Sequence, residues 1–347
     1  EFDEDWKFEY EPPSFVQPRS QVLRDTLNKI CALTFELNRK SGQPAMPKEL
    51  ASMIIKIGDG RYKMGMGGLH STEKSQGLRS DEHYQLEDDD VASFYPKLIL
   101  VCKLYPPNMG LDFARVYAGI LDRRLEAKKR GLKRVADSYK ITLNGSYGKM
   151  GSPYSIFYAP ALMLQVTLTG QMILLMLIEM LEDAGIRVVS ANTDGVISMV
   201  PRHMSDTKAA VLKAWQEITG FDTENTKYDF VFSRDVNSYI AAKTGVPKDA
   251  KYSDRFKTKG EFATTGLMKN PSNQVCVDAV VAYLTEGTPI RQTIESCTDI
   301  RKFINAQRVT GGAVWQGQHL GRVVRSYKSI FAVSKITYGA GKKEGHK

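Results

Sequence analysis

Cysteine is scarce. The 347 residues include only four, Cys31, Cys102, Cys276 and Cys297, scattered without paired ligand spacing or the density that staples small secreted domains. This argues against a disulfide framework and a cysteine-held zinc, and for a reducing compartment. Internal repeats and low-complexity tracts are missing as well, which argues against solenoids and linker-like disorder. No signal-peptide pattern opens the chain, and its first residue is Glu, as expected of a fragment or a processed chain. Long apolar runs are nearly absent. The one of membrane length, ALMLQVTLTGQMILLMLIEML, is interrupted by Gln165, Thr167, Thr169, Gln171 and Glu179, so a buried core helix is expected rather than a membrane span.

The composition is that of an ordinary globular protein, 42% hydrophobic and 10% aromatic, long enough for two or three domains with cores. The net charge is +9, and the whole basic excess lies after residue 200. A basic surface beside an acidic pocket suits a polyanionic partner.

Periodicity and turn residues outline the elements. An acidic, Pro-rich opening precedes a helical stretch over 21–39, and the Gly-rich MGMGGLHS (64–71) leads to an acidic strand from residue 84 that runs into a turn or short helix near Pro96. Helices over 111–130 and 134–149 read as a helical hairpin. The apolar helix (160–184) ends at Gly185, and IRVVSANTDGVISMV is a β-hairpin signal. A helix over 205–219 and strands over 228–242 and 255–263 follow, and the pattern is helical again from Pro271.

Two carboxylates far apart in sequence, Asp90 in DDDVASFYP and Asp194 in SANTDG, each fall at a strand end or hairpin turn. That placement suits a two-metal phosphoryl-transfer site, in which hard oxygen ligands hold two Mg²⁺ about 4 Å apart. Strand alternation puts Asp88 on the face of Asp90 and Asp89 on the other, as supporting or solvated charges. Read singly, NTDG is a turn and the Asp triplet a solvated loop.

Three segments together resemble family B DNA polymerases: DVASFYP (90–96) their first palm motif, KITLNGSYG (140–148) their fingers motif, and SANTDG (190–195) their third motif, in the family's order. The resemblance spans about residues 60–330. It implies an α+β right-hand polymerase with an antiparallel-sheet palm, helical fingers and a mainly helical thumb. The implied divisions are an N-terminal segment on the palm (1–63), palm (64–110), fingers (111–150), palm again (151–265) and a complete or partial thumb (266–347).

By the same resemblance, Asp90 and Asp194 are catalytic and hold two Mg²⁺, or Mn²⁺ as a substitute, with the Val91 backbone. Ser93 and Phe94 receive the triphosphate, and Tyr95 is the steric gate against a ribose 2′-hydroxyl. Arg124 and Lys128, in RRLEAKKR, match the family's clamp on the triphosphate, joined by Lys140, Asn144 and Tyr147. Helical spacing sets Lys140, Asn144, Tyr147 and Gly151 on one face. Gly67, Gly68, Thr193, Tyr239, Lys257 and Lys259 are the implied contacts to DNA, with Arg322, Arg325 and Lys328 from the basic GRVVRSYK. Gly67 and Gly68 read equally well as a Gly-rich turn, and GRVVRSYK as a plain basic surface segment.

The chain departs from the family pattern at four points. Asn192 stands where an Asp is usual, Gly195 and Gly145 where Ser is usual, and Asn237 at the lysine of the KxY region. The stretch before Asp90 is too short for the family's proofreading domain, and the 50-residue step from Asp90 to Lys140 fits just two finger helices. The function implied is DNA-templated extension of a primer 3′ end with dNTPs, from a phage or virus, in the cytoplasm, with replication accessory proteins as further partners and no membrane. The alternative is an inactive relative that binds primer–template DNA.

Overall fold

The computed structural model describes residues 5–263, 272–327 and 336–338. The chain divides into two compact units, one of residues 1–237 and 241–257, the other of residues 238–240 and 258–347. The first unit opens with β1 (Lys7–Glu9), α1 (Gln21–Cys31), β2 (Thr34–Glu36), α2 (Lys48–Ser52), β3 (Ile55–Ile57), β4 (Gly60–Lys63), β5 (His70–Ser71) and β6 (Gln76–Arg79). There follow β7 (Tyr84–Val91), α3 (Phe94–Val101), α4 (Gly110–Lys129), α5 (Lys133–Lys149), α6 (Pro160–Asp183), β8 (Arg187–Asn192) and β9 (Gly195–Pro201). It closes with α7 (Ser205–Thr219), β10 (Thr223–Asp235), β11 (Ser238–Lys243), α8 (Tyr252–Arg255) and β12 (Phe256–Lys259), the last two strands each crossing the division between the units.

The sheet of this unit runs β11-β10-β7-β9-β8-β5-β4-β3, with β6 also on β10. Its central pairs are antiparallel, which with the helices makes an α+β arrangement. Strand β7 lies between β9, paired with residues 84–90, and β10, paired with residues 86–91, so its side chains are fixed to one face or the other.

Helix α6 is the platform. All but five of its 24 residues are buried, so its apolar run faces protein on every side, and the polar residues that interrupt it are tied in one by one. Thr167 meets the Tyr147 hydroxyl (2.6 Å) and Thr169 the Tyr10 hydroxyl (3.0 Å). Gln171 accepts from the Gly65 amide (2.9 Å), Gln165 donates to the Glu11 carbonyl (2.7 Å), and Glu179 accepts from the amides of Arg19 and Ser20 ahead of α1. Buried polar groups persist where they are hydrogen-bonded, and these bonds fix what packs on the helix. Helix α7 docks through the Trp215 indole, which donates to the Ile173 carbonyl (2.8 Å).

Three expectations need correction. The helix read over 21–39 stops at Cys31, because Thr34–Glu36 pairs with β1 and buries Phe35 edge-on against Phe8. Helix α5 ends at Lys149, so Gly151 lies beyond it, and the expected common face is exposed at Lys140 and Asn144 but buried at Tyr147. In the second unit, α9 (Gln274–Glu286) and α10 (Ile290–Glu295) meet the helical expectation, but strands follow: β13 (Asn305–Arg308), β14 (Ala313–Trp315), β15 (Gln318–His319), β16 (Val323–Ser326) and β17 (Ile336–Tyr338). Strand β13 pairs with β16, and β14 with β15 and β17, so among the described residues this part carries sheet as well as helix.

Candidate active site

Asp90 stands at the C-terminal end of β7, directly opposite Gly195 of β9 and Glu224 of β10. Asp194 lies in the turn between β8 and β9, one residue from that partner, and the Val91 amide donates to its carbonyl (2.7 Å). Two segments a hundred residues apart are thereby fixed side by side. Gly195 has a steric role here: a Cβ on it would run into the Asp90 carboxylate, so the missing side chain leaves room for that group.

The three aspartates are all held. Asp88 and Asp90 share a face of β7 and both receive the Lys257 ammonium, at 2.8 and 2.7 Å. The Tyr228 hydroxyl donates to the same Asp88 oxygen (2.7 Å). Asp88 is buried, and desolvation followed by the neighbouring Asp90 charge pushes its carboxyl up to about 6, against the pull of Lys257 and Tyr228. Asp89 points to the opposite face, where Lys208 of α7 reaches Asp89 and Glu87, each at 2.6 Å, and Asn225 donates to both. The alternation is as expected, but neither Asp88 nor Asp89 is a solvated charge: they are 2% and 0% exposed.

After Asp90 the chain turns sharply. Ala92 donates to the Asp222 carbonyl (2.9 Å), and Ser93 adopts a left-handed conformation (φ 54°) before α3 begins. A non-glycine residue there carries strain of about 1–3 kcal/mol, held in place by its surroundings. Pro96 falls in the first turn of α3, where an absent N–H costs little. The Phe94 ring is core, packed edge-on against Phe221, so only its backbone remains for a ligand. Tyr95 is half-buried and stacked on Tyr147 of α5, with centroids 4.5 Å apart. Burial, then Tyr147 and the Asp194 charge, hold the Tyr95 phenol well above its ordinary value, so it is a neutral hydroxyl.

The Gly-rich segment closes the other side. Gly68 (φ 124°) has no room for a side chain, since a Cβ would touch the Tyr95 hydroxyl and Thr193. Gly67 is exposed, its carbonyl 3.4 Å from the Tyr95 hydroxyl. Thr193, also left-handed (φ 63°), donates its amide to Leu69 (2.7 Å). Glycines 67 and 68 thus hold the aromatic and the hairpin turn together.

The expected phosphate ligands divide. Arg124 donates to the Ser93 hydroxyl (2.5 Å), and Lys128 pairs with Glu224. The side chains of Lys140 and Asn144 are exposed and make no hydrogen bond or ion pair with the described residues. Asn192 donates its side-chain amide to the Val236 carbonyl (2.6 Å) and accepts from Thr193 (2.9 Å). A carboxylate could not make the first of these bonds. Lys257, expected on DNA phosphate, lies instead on the two aspartates. In the second unit Tyr239 is buried, Lys259 half-buried, and Arg322 and Arg325 exposed, while Lys328 lies outside the described residues.

Among the described residues no group of three or more His, Cys, Asp and Glu is arranged to hold a metal. Asp90 and Asp194 nevertheless fit Mg²⁺, which is commonly held by one or two carboxylates and completed by substrate phosphates and water. The Lys257 ammonium seated on Asp88 and Asp90 shows that positive charge is stabilised beside Asp90.

Sequence reasoning did not find Lys257 as a carboxylate partner, nor Glu224, Tyr228, Thr167 or Gln171 as supports. Only strand register reveals the first three, while the polar interruptions of α6 were a usable signal for the last two.

The acidic end of β7 and the hairpin turn that carries Asp194 therefore lie side by side, next to the stacked rings of Tyr95 and Tyr147. No protein-family model and no curated protein matches the chain. Among solved structures, the chain is distantly similar to the family B DNA polymerase from the hyperthermophilic archaeon Pyrobaculum calidifontis, with 16% identity and a TM-score of 0.44 over 68% of this chain. The similarity spans 37% of the length of that polymerase.

Proposed function

We propose that the chain carries the nucleotidyl-transfer core of a DNA-templated DNA polymerase, extending a primer 3′ end with dNTPs. The observation that supports this most is the convergence of the three motif segments: Val91 is bonded to Asp194, and Tyr95 is stacked on Tyr147. Asp90 and Asp194 would hold two Mg²⁺, which when bound supply the Lewis acidity that activates the 3′-hydroxyl and neutralises the departing pyrophosphate.

The remaining roles belong to the protein's own side chains. Lys140 and Asn144, exposed on α5, receive the triphosphate, and Lys128 joins them by leaving Glu224. Tyr95, fixed by Tyr147 behind it and Gly68 beside it, meets the sugar and excludes a 2′-hydroxyl. No side-chain nucleophile is required.

A second reading, an inactive relative that binds primer–template duplex, is favoured by Asn192, which is built into a bond that an acidic residue could not make. Extension of a labelled primer with Mg²⁺ and dNTPs, run beside Asp194→Ala, tests both. Extension that is lost in the variant supports the polymerase. Duplex binding without extension in the unaltered chain supports the binding relative.

A further inference from the structure

The ammonium of Lys257 is seated between two carboxylates that the strand places on one face, 2.8 Å from Asp88 and 2.7 Å from Asp90. Without it, two like charges two residues apart would repel across a sheet face, one of them fully enclosed by protein. The two ends of the bridge differ. Asp88 is 2% exposed and held at the same oxygen by Tyr228 as well. The Asp90 side chain is 40% exposed and that of Lys257 33%. The lysine is therefore anchored at the enclosed end and open to water at the other, on a stem of four carbons that lets the ammonium shift.

We propose, resting on the nucleotidyl-transfer reading above, that Lys257 is a positioning residue that holds Asp88 and Asp90 together in the metal-free protein and yields Asp90 when a divalent cation binds. Its charge keeps the site from binding a cation strongly before the substrate arrives. With Lys257 in place, Asp88 and Asp90 together with the ammonium carry a net charge of one negative, and the cation must displace that ammonium to reach Asp90. Added phosphate oxygens then tip the exchange. In this arrangement metal loading is coupled to nucleotide binding, and Asp88 remains neutralised by Lys257 throughout, so that the enclosed carboxylate is never left alone.

Mn²⁺ titration of the whole chain without nucleotide, followed by the electron paramagnetic resonance signal of free Mn²⁺, tests this together with melting temperatures. The variants are Lys257→Met, Lys257→Gln, Lys257→Arg and Asp90→Asn. Lys257→Met should bind Mn²⁺ at least tenfold more tightly than the unaltered chain, melt lower without metal, and recover its melting temperature when Mn²⁺ is added. Lys257→Gln, which keeps much of the stem and a donor, should show the same tightening if Lys257→Met does not fold. Lys257→Arg should stay close to the unaltered chain. Mn²⁺ binding that Asp90→Asn abolishes but that Lys257→Met and Lys257→Gln leave unchanged would overturn the role of Lys257 and leave the metal site standing. No Mn²⁺ binding to the unaltered chain or to any Lys257 variant would overturn both the metal site and the role of Lys257.

Discussion

Strand β7 carries two acidic pairs, one on each face, and each pair shares one lysine. On one face Glu87 and Asp89 close on Lys208, and on the other Asp88 and Asp90 close on Lys257. In sequence the four are a single run, EDDD. In the fold their surroundings differ. Lys208 comes from helix α7 and is 3% exposed, so the first group is sealed under a helix. Lys257 comes from a strand end, and its group opens to water at Asp90. The sealed group is a structural ion cluster, in which burial and pairing oppose each other. Burial raises the Glu87 carboxyl, but Lys208, Lys227 and Asn225 outweigh it and hold it low, whereas in Asp89 burial wins and the carboxyl is raised. Only the open group has a carboxylate that a ligand can reach. Charge alone does not make a site, because access and an exchangeable partner are also required.

This contrast can be broken experimentally. The largest effect is expected at the open end: Asp90→Ala and Asp194→Ala should each lower primer extension by roughly a thousandfold or more, equivalent to the several kcal/mol a bound metal contributes. Duplex binding, measured by fluorescence anisotropy, should persist. Near-normal extension in either variant would place catalysis elsewhere.

Next comes the sealed face. Lys208→Met strands two buried carboxylates and should cost about 3–5 kcal/mol of stability in urea unfolding. Lys257→Met strands one enclosed carboxylate, Asp88, and leaves Asp90 to water, so it should cost less, about 1–3 kcal/mol. Equal losses would erase the distinction between the faces.

A smaller loss is expected at the hairpin. Asn192→Asp restores the acidic residue usual in the resembled motif but leaves the Val236 carbonyl without its donor, for a cost of about 1–3 kcal/mol and no gain in extension. Faster extension would mean that the amide bond matters less than the charge.

The smallest effect concerns Glu224, which sits opposite Asp90 on the open face and holds Lys128. An exposed pair is worth at most about 1 kcal/mol, so Glu224→Gln should lower the apparent KM for dNTP by no more than about fivefold. An unchanged KM in steady-state extension would remove Lys128 from the phosphate site.

Much of this was legible in the residues. The hairpin around Asp194, the helical pair before and after residue 132, the apolar helix with its polar interruptions and the alternation of the EDDD run are local patterns of period, turn residue and cap, and each stands where the sequence put it. The overextended helix at 32–39 and the strands after 305 were missed. In both places short segments are decided by the strand they pair with, and pairing over distance leaves little mark on local sequence.

The sequence by itself determined which side chains bear charge, which are free of Cβ, and on which face of β7 each acid falls, because these follow from chemistry and a period of two. Only the tertiary structure decided that Lys208 seals one pair and Lys257 bridges the other, that Gly195 makes room for Asp90, and that Thr167 of α6 fixes the aromatic behind Tyr95. Those outcomes depend on the register of β7 against β9 and β10 and on what each helix covers, and register is a long-range packing result, settled by burying the whole core at once.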